Sequence, residues 1–273
     1  MSGVAPIWFT SIQAPNADPV CVAIAECVGA QMGTEVLFTA DLHWLERRRL
    51  LLDGNAQIGW VCGLPYVLTV AKSPGLWLPL VAPVMTGARY RELPVYFSDV
   101  VVRADSPLRD FSDLRGCRWA YNEPESHSGT GVVRDRLATL GEDGGYFREI
   151  MEAGSHQAAL ELILEARVDA AAIDSTVLET ELRSRPGLEG RIRVIESLGP
   201  SPAPLWVAHR CLPEEVRSAV QFAFLNMTGN PDGQRILSAG AMLRFVPVDD
   251  ADYDPIRRMA QRGESVTWSR QSN

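Results

Sequence analysis

The sequence predicts an α/β protein with two lobes, each built on a mostly parallel sheet flanked by helices. Short apolar segments that suit strands alternate with amphipathic segments of helical period along most of the 273 residues. The alternation starts again near Tyr96 and ends before a proline-rich run at 197–204. We therefore expect one lobe from residues 1–95 and 205–273, an inserted lobe from residues 96–204, and a hinge of two chain segments.

The first lobe starts with a repeating order of strand and helix. The predicted strands are 7–9, 35–38, 58–62 and 77–84, and the predicted helices are 20–28, 42–52 and 63–70. Asn16 or Asp18 is placed to cap the first of these helices. The triplet Arg47-Arg48-Arg49 lies within the second helix, where it is typical of a solvated face rather than of a nucleic-acid patch.

The inserted lobe repeats this order. Its predicted strands are 96–103, 117–121, 147–151, 168–174 and 192–195, and its predicted helices are 132–140, 157–165 and 177–184. The run 197–204 contains three prolines and a glycine, a composition typical of a segment that crosses between lobes. A strand at 205–208, helices from 213 and at 232–239, and a tail helix from Tyr253 complete the first lobe, with disorder expected after Trp268.

The composition excludes several functional classes. The net charge is −8, and no run approaches the roughly 18 apolar residues of a membrane span. The five cysteines form no CxxC pair and lie among apolar neighbours, which favours reduced, buried thiols over disulfides or a zinc site. The first residues lack the features of a secretory signal. We expect a cytoplasmic protein as the sequence stands, or a periplasmic one if a leader was removed.

The most informative stretch is 121–131, which joins a predicted strand to a predicted helix and is rich in hydroxyl groups and glycine. The start of a helix offers unpaired N–H groups and the positive end of a dipole to an anion. Ser126, Ser128 and Thr130 add hydroxyl donors, and Gly129 leaves room near the backbone. The stretch lacks the lysine of a nucleotide P-loop and the spacing of a nucleophile elbow. An ordinary helix cap formed by one serine is the alternative.

Five segments in register resemble the substrate-binding proteins of phosphonate and phosphate ABC transporters, which are similar to type II periplasmic binding proteins. The segments are 96–102, 106–116, 124–129, 153–156 and 168–172. The resemblance implies a non-catalytic, monomeric protein that binds a small oxoanion in the cleft between its lobes, without a cofactor or metal. It also suggests an ABC permease as a partner, and no feature suggests nucleic-acid binding or membrane insertion.

The resemblance also assigns ligand contacts. The hydroxyl loop of the family corresponds to Ser126, His127 and Ser128, with His127 in place of a hydroxyl residue. Tyr96 corresponds to a tyrosine that reaches the anion, and either Ser155 or His156 to a histidine. Further candidates are suggested by their position in the sequence alone. The complete set of candidate ligand contacts is Tyr96, Ser126, His127, Ser128, Gly129, Thr130, Ser155, His156, Asp174, Trp8 and Trp44.

Several of these candidates have alternative interpretations, and for His127 and His156 the alternative is a capping or loop histidine. Asp174 ends a buried strand and is placed either to contact a ligand or to cap the next helix. Trp8 and Trp44 lie near the end of a strand or the start of a helix, where a tryptophan belongs to the core more often than to a ligand site. Protonation of His127 or His156 near neutral pH would strengthen anion binding.

Two departures from the family pattern bear on the ligand. In the family, two carboxylates hold the amine of an aminoalkyl phosphonate. The corresponding positions in this sequence are Thr176 and Ala203, which carry no charge. An ammonium group would lack a compensating charge there, so we expect that 2-aminoethylphosphonate is not the ligand. Two other functions stay open: a cytoplasmic ligand sensor of the same fold, and an enzyme that uses His127, His156 and Asp174 as acid–base groups.

Overall fold

The computed structural model describes residues 5–268, and the chain divides into two compact units. The first unit comprises Met1–Val95 and Pro202–Asp254, and the second comprises Tyr96–Ser201 and Pro255–Asn273. The chain therefore passes from one unit to the other after Val95, Ser201 and Asp254, rather than through the two segments that we expected. The disorder expected after Trp268 lies outside the described residues.

Strands and helices alternate along the described chain. In order, the strands are β1 (Ile7–Ser11), β2 (Val36–Thr39), β3 (Ile58–Val61), β4 (Trp77–Met85), β5 (Val95–Arg103), β6 (Arg118–Tyr121), β7 (Glu149–Glu152), β8 (Ala170–Asp174), β9 (Ile192–Pro202), β10 (Leu205–His209) and β11 (Met242–Pro247). The α-helices are α1 (Asp18–Met32), α2 (Trp44–Leu52), α3 (Gly63–Lys72), α4 (Val132–Thr139), α5 (His156–Leu164), α6 (Ser175–Ser184), α7 (Glu214–Leu225), α8 (Pro231–Ala239) and α9 (Asp254–Gly263). No helix in the described range is long and apolar enough to cross a membrane.

The sheet of the first unit has the strand order β11-β4-β10-β3-β1-β2 within residues 5–268. β1 runs parallel to β2 and β3, whereas β10 is antiparallel to β3 and β4, and β11 is antiparallel to β4. This confirms the α/β class but corrects the expectation of a mostly parallel sheet. The mixed pairing arises because β10 enters the sheet from the chain that returns from the second unit, and not through a helical crossover.

The sheet of the second unit has the order β7-β6-β8-β5-β9 in the same described range. β6 is parallel to β7 and β8, and β8 is antiparallel to β5. β9 continues to Pro202, so most of the run 197–204 is strand and not the loop that its prolines suggested. An edge strand tolerates proline because one side of its backbone needs no ladder hydrogen bond, and β9 lies at the edge.

β8 lies at the centre of the second unit and is buried on both faces. Ala170 and Ala172 pack into one apolar cluster with Trp119, while Ala171 and Ile173 pack into another on the opposite face. Trp119 stacks on Phe147 with ring centroids 4.7 Å apart. Small alanine side chains bring the flanking elements close to β8 and fix the position of its carboxyl end.

The end of the chain packs differently from the expectation. Residues beyond Asp254 group with the second unit, where Arg262 Nε donates to Asp135 Oδ1 at 2.7 Å and Arg134 Nε donates to the Val266 carbonyl oxygen at 2.7 Å. Met259 packs against the apolar cluster around Trp119. The charged and apolar faces of α9 thus both find partners around α4.

The cysteines form no disulfide among the described residues. Cys21 and Cys27 are buried, as the sequence suggested. Cys211 is exposed, because it follows the end of β10 at the surface, so the expectation of buried thiols does not hold for every cysteine.

Arg47 is buried, whereas the triplet 47–49 was expected to form a solvated face. Its guanidinium forms a bidentate pair with Asp18, with both N–O distances 2.8 Å. Its remaining N–H groups donate to the main-chain carbonyl oxygens of Ser11, Ala40 and Leu42. Asp18 therefore starts α1 as the partner of Arg47, and Ala17 occupies the N-cap position of that helix.

Replacing Arg47 by methionine is expected to lower the free energy of unfolding by about 3–5 kcal/mol, because Asp18 would stay largely buried without its counter-charge. Urea denaturation followed by tryptophan fluorescence measures the change. Arg49→Met is the matched control, since Arg49 is exposed, and should change stability by less than about 0.5 kcal/mol. Equal effects of the two substitutions would contradict a structural role for the Arg47–Asp18 pair.

Candidate functional site

A π-helical turn, His127–Gly131, joins β6 to α4 through Asn122–Ser126. Ser126 caps the turn: its Oγ accepts from the Gly129 amide at 3.1 Å, and its carbonyl oxygen accepts from the Gly131 amide at 2.9 Å. β6 and β8 are parallel, so the turn lies at the same sheet edge as the carboxyl end of β8. The helix-cap alternative is therefore realised by Ser126, while the first-turn amides of His127 and Ser128 lie where a helix offers no intrahelical acceptor.

The polar side chains of this turn are buried. Ser126, His127, Ser128 and Thr130 are all buried, and so is His156 at the first position of α5. Ser128 Oγ lies 2.8 Å from His156 Nε2 and 3.4 Å from Ser126 Oγ. The structure thus links Ser126, Ser128 and His156 by hydrogen bonds, with the His127 side chain in the same buried turn. We call these four residues the serine–histidine cluster (Ser126, His127, Ser128 and His156).

His127 is held by a residue that the sequence analysis did not single out. Its Nε2 lies 2.9 Å from Ser201 Oγ, near the end of β9, and its ring centroid is 6.4 Å from that of Tyr96. Tyr96 is fully buried and belongs to the same unit. The sequence did not identify Ser201 as a site residue because the prolines around it indicated a crossing segment. Nothing in the local sequence of a serine between prolines predicts that it contacts a histidine.

Both histidines of the cluster keep one nitrogen without a partner. The Nδ1 atoms of His127 and His156 are buried and form no hydrogen bond within the described part of the chain. A buried polar atom without a hydrogen bond costs about 1–3 kcal/mol, and native proteins seldom leave one unexplained. Two such atoms around one helix start make this turn the candidate functional site.

Burial lowers the pKa of His127 and of His156 to about 4. Both imidazoles are therefore neutral at pH 7, which corrects the expectation that their protonation would strengthen anion binding near neutral pH. A neutral imidazole still offers one N–H donor. The cluster can therefore hold an anion with neutral donors and the helix dipole, without a fixed positive charge.

Gly129 and Thr130 form contacts within the loop itself. Thr130 Oγ1 donates to the Glu123 carbonyl oxygen at 2.7 Å. A Cβ added to Gly129 would lie 2.0 Å from Asn122 Oδ1. The missing side chain of Gly129 thus makes room for Asn122, and a ligand contact by Gly129 or Thr130 stays a prediction.

Ser155 and Asp174 act as helix caps. Ser155 Oγ accepts from the Ala158 amide at 3.0 Å, so it is His156 and not Ser155 whose side chain reaches Ser128. Asp174 Oδ1 accepts from the amide and the hydroxyl of Thr176 at 2.8 and 2.7 Å. Burial raises the pKa of Asp174 to about 6. The capping interpretation of Asp174 is therefore realised, and a further ligand contact by it is a prediction.

Trp8 and Trp44 belong to the first unit, so they are not part of the serine–histidine cluster. The side chain of Trp8 is 39% exposed on β1. Trp44 opens α2, with its ring 5.8 Å from that of His43. Neither tryptophan is a fully buried core residue, and their ligand contacts stay a prediction.

Carboxyl groups lie close to the turn. Burial, with the charges of Glu152 and Glu125, raises the pKa of Glu123 to about 7. A fraction of Glu123 is therefore protonated at neutral pH, which reduces the negative charge beside the cluster. Among residues 5–268, no group of three His, Cys, Asp or Glu side chains is arranged to hold a metal ion.

Comparison with known proteins relates this chain to a family. The family model for the ABC transporter, phosphonate, periplasmic substrate-binding protein matches residues 21–253, most of the chain. PhnD1 from Prochlorococcus marinus (MIT 9301), solved in complex with methylphosphonate, has a TM-score of 0.83 at 17% identity, covering 95% of this chain and 98% of that chain. The resemblance inferred from the five segments is confirmed.

Two further solved structures share the fold. A binding protein component of an ABC phosphonate transporter from Pseudomonas aeruginosa has a TM-score of 0.83 at 18% identity, covering 96% of this chain and 88% of that chain. A protein from Xanthomonas citri bound to ATP has a TM-score of 0.72 at 16% identity, covering 96% and 98%. These likenesses confirm the predicted fold, and the different ligands of these proteins show that the fold alone does not determine the ligand.

Gly129→Ala is expected to lower the free energy of unfolding by about 1–3 kcal/mol, because the new methyl group overlaps Asn122 Oδ1. The same substitution made with Asn122→Ala should cost less, giving a coupling energy of at least about 1 kcal/mol in a double-mutant cycle measured by urea denaturation. Gly190→Ala is the control, since its Cβ would meet only the Gly187 carbonyl oxygen, at 3.8 Å. Additive effects of the two substitutions would contradict the contact.

Proposed function

This chain belongs to the family of periplasmic substrate-binding proteins of phosphonate ABC transporters, and we propose that it binds a small phosphonate- or phosphate-like oxoanion that carries no free amine. The proposed ligand seat is the serine–histidine cluster at the start of α4. The observation that carries this proposal is the pair of buried Nδ1 atoms on His127 and His156, which lack a partner in the described residues. Membership of the family implies a permease as the partner that receives the ligand.

The donors of the cluster suit a tetrahedral oxoanion. Ser126 Oγ accepts from the Gly129 amide, and its hydroxyl proton can point either to Ser128 Oγ, 3.4 Å away, or to a ligand oxygen. The amides of His127 and Ser128 lie in the first turn, at the positive end of the α4 dipole. The oxygens of a phosphonate are acceptors for such donors, and charge-assisted hydrogen bonds are stronger than neutral ones.

The geometry favours binding over catalysis. Ser128 Oγ and His156 Nε2 are 2.8 Å apart, the distance of a nucleophile and its general base. A general base works best with a pKa near the operating pH, whereas burial lowers the pKa of His156 to about 4. His156 Nδ1 also lacks, in the described chain, the third group that orients the base in a catalytic triad. These features support a non-catalytic role.

Methylphosphonate is the first ligand to test, and isothermal titration calorimetry on the full chain should detect its binding. Ser128→Ala is expected to raise the Kd about 10- to 100-fold, because the bound anion loses a hydroxyl donor and His156 loses its partner. Ser184→Ala is the control, since that hydroxyl donates to the Glu181 carbonyl oxygen within α6, outside the cluster. No heat with wild-type protein at millimolar ligand, or an unchanged Kd for Ser128→Ala, would contradict the proposal.

We expect 2-aminoethylphosphonate to bind at least tenfold more weakly than ethylphosphonate, which has the same length without the amine. The ammonium group would lack a carboxylate at Thr176 and Ala203, and the Asp174 carboxylate is occupied as the cap of α6. Competition calorimetry with both ligands on one protein sample measures the ratio. Equal or tighter binding of 2-aminoethylphosphonate would show that another group compensates its charge.

A further inference from the structure

His127 stands where the resemblance places a hydroxyl residue, and it is the least exposed side chain of the serine–histidine cluster, with no accessible surface. Its Nε2 lies 2.9 Å from Ser201 Oγ, and Ser201 is itself 1% exposed. Within residues 5–268, His127 Nδ1 has no hydrogen-bond partner. Which ring nitrogen of His127 carries the proton therefore depends on one contact, the hydrogen bond with Ser201.

Counting donors decides which nitrogen carries the proton. If Ser201 donates its hydroxyl proton to Nε2, the proton of the neutral ring is on Nδ1, and a single N–H group is left for a ligand. If Nε2–H donates instead, the buried Ser201 hydroxyl proton and the Nδ1 lone pair are both left without partners in the described chain. The first arrangement leaves fewer buried groups unsatisfied and is therefore favoured.

We propose that Ser201 is a positioning residue that fixes His127 in its Nδ1–H tautomer, so that His127 gives the ligand seat a donor and no acceptor. This inference rests on the proposed function and deepens it. A serine or threonine at this position can both donate to a ligand oxygen and accept from a ligand hydroxyl, whereas an imidazole with Nε2 occupied by Ser201 can only donate.

The consequence concerns the protonation state of the ligand. A hydrogen phosphonate carries a P–OH proton that needs an acceptor, and the Nδ1–H group of His127 cannot supply one. A sulfonate, or a fully ionised phosphonate, presents only acceptor oxygens. His127 with Ser201 therefore selects oxoanions without a proton on the bound oxygens, and discriminates against the singly protonated ligand.

The tautomer can be measured directly in ligand-free protein by long-range ¹⁵N–¹H NMR of histidine-labelled chain. The sequence contains four histidines, and His209 supplies an internal reference for the opposite tautomer because its Nδ1 accepts from the Cys211 amide at 3.2 Å. We expect His127 to show a protonated Nδ1, and Ser201→Ala to change its tautomer pattern while that of His209 stays the same. A wild-type His127 protonated at Nε2 would overturn the proposal.

Ligand selectivity gives the second test, as the ratio of the Kd values for methylphosphonate and methanesulfonate at about pH 5.5, below the second ionisation of a phosphoryl group. Both ligands are then mainly monoanions, so effects of Glu123, Asp174 or His156 on anion affinity in general cancel in the ratio. We expect His127→Ser to shift the ratio about tenfold in favour of methylphosphonate, and Ser201→Ala to shift it in the same direction.

Ser197→Ala is the matched control, since Ser197 lies on the same strand but donates to Asp99 Oδ1 at 2.6 Å. It should leave the ratio unchanged. An unchanged ratio in His127→Ser, or an equal shift in Ser197→Ala, would overturn the selectivity role of His127. Failure of both ligands to bind wild-type protein would overturn the proposed function and the selectivity with it, whereas the tautomer measurement still decides the role of Ser201.

Discussion

The need to satisfy buried polar groups governs the structure around the start of α4. Each side chain of the turn is tied to a different part of the second unit: Ser126 to the backbone of the turn, Ser128 to His156 on α5, and His127 to Ser201 on β9. A turn that is held from several directions keeps its donors in fixed positions before a ligand arrives. Such preorganisation reduces the entropy that is lost when a ligand binds.

The same constraint separates structural from binding polar groups. Every N–H direction of the Arg47 guanidinium is used by Asp18 or by a main-chain carbonyl oxygen, so this buried cation has no donor left for a ligand. His127 and His156 each use one ring nitrogen and leave the other without a partner in the described residues. The fully paired guanidinium of Arg47 is therefore structural, whereas His127 and His156 keep a ring nitrogen that a ligand could use.

The sequence predicted the features that depend on local pattern. The loop at 121–131, rich in hydroxyl groups and glycine, and the capping alternative for Asp174 follow from neighbours in the chain. It could not predict features that depend on distant partners. The burial of Arg47 depends on Asp18 and on carbonyl oxygens from the end of β1 and from the loop before α2. The contact of Ser201 with His127 joins residues 74 positions apart. The neutral state of the histidines was missed because it results from burial, which hydroxyl spacing does not reveal.

An acidic chain can bind an anion when the field at the site is set by nearby dipoles rather than by the net charge. The total of −8 is spread over the surface, where solvent and salt screen it. At the turn, first-turn amides, hydroxyls and two neutral imidazoles lie within one buried cluster, where screening is weak. The raised pKa of Glu123 acts in the same direction, because its proton removes a charge that would repel the ligand.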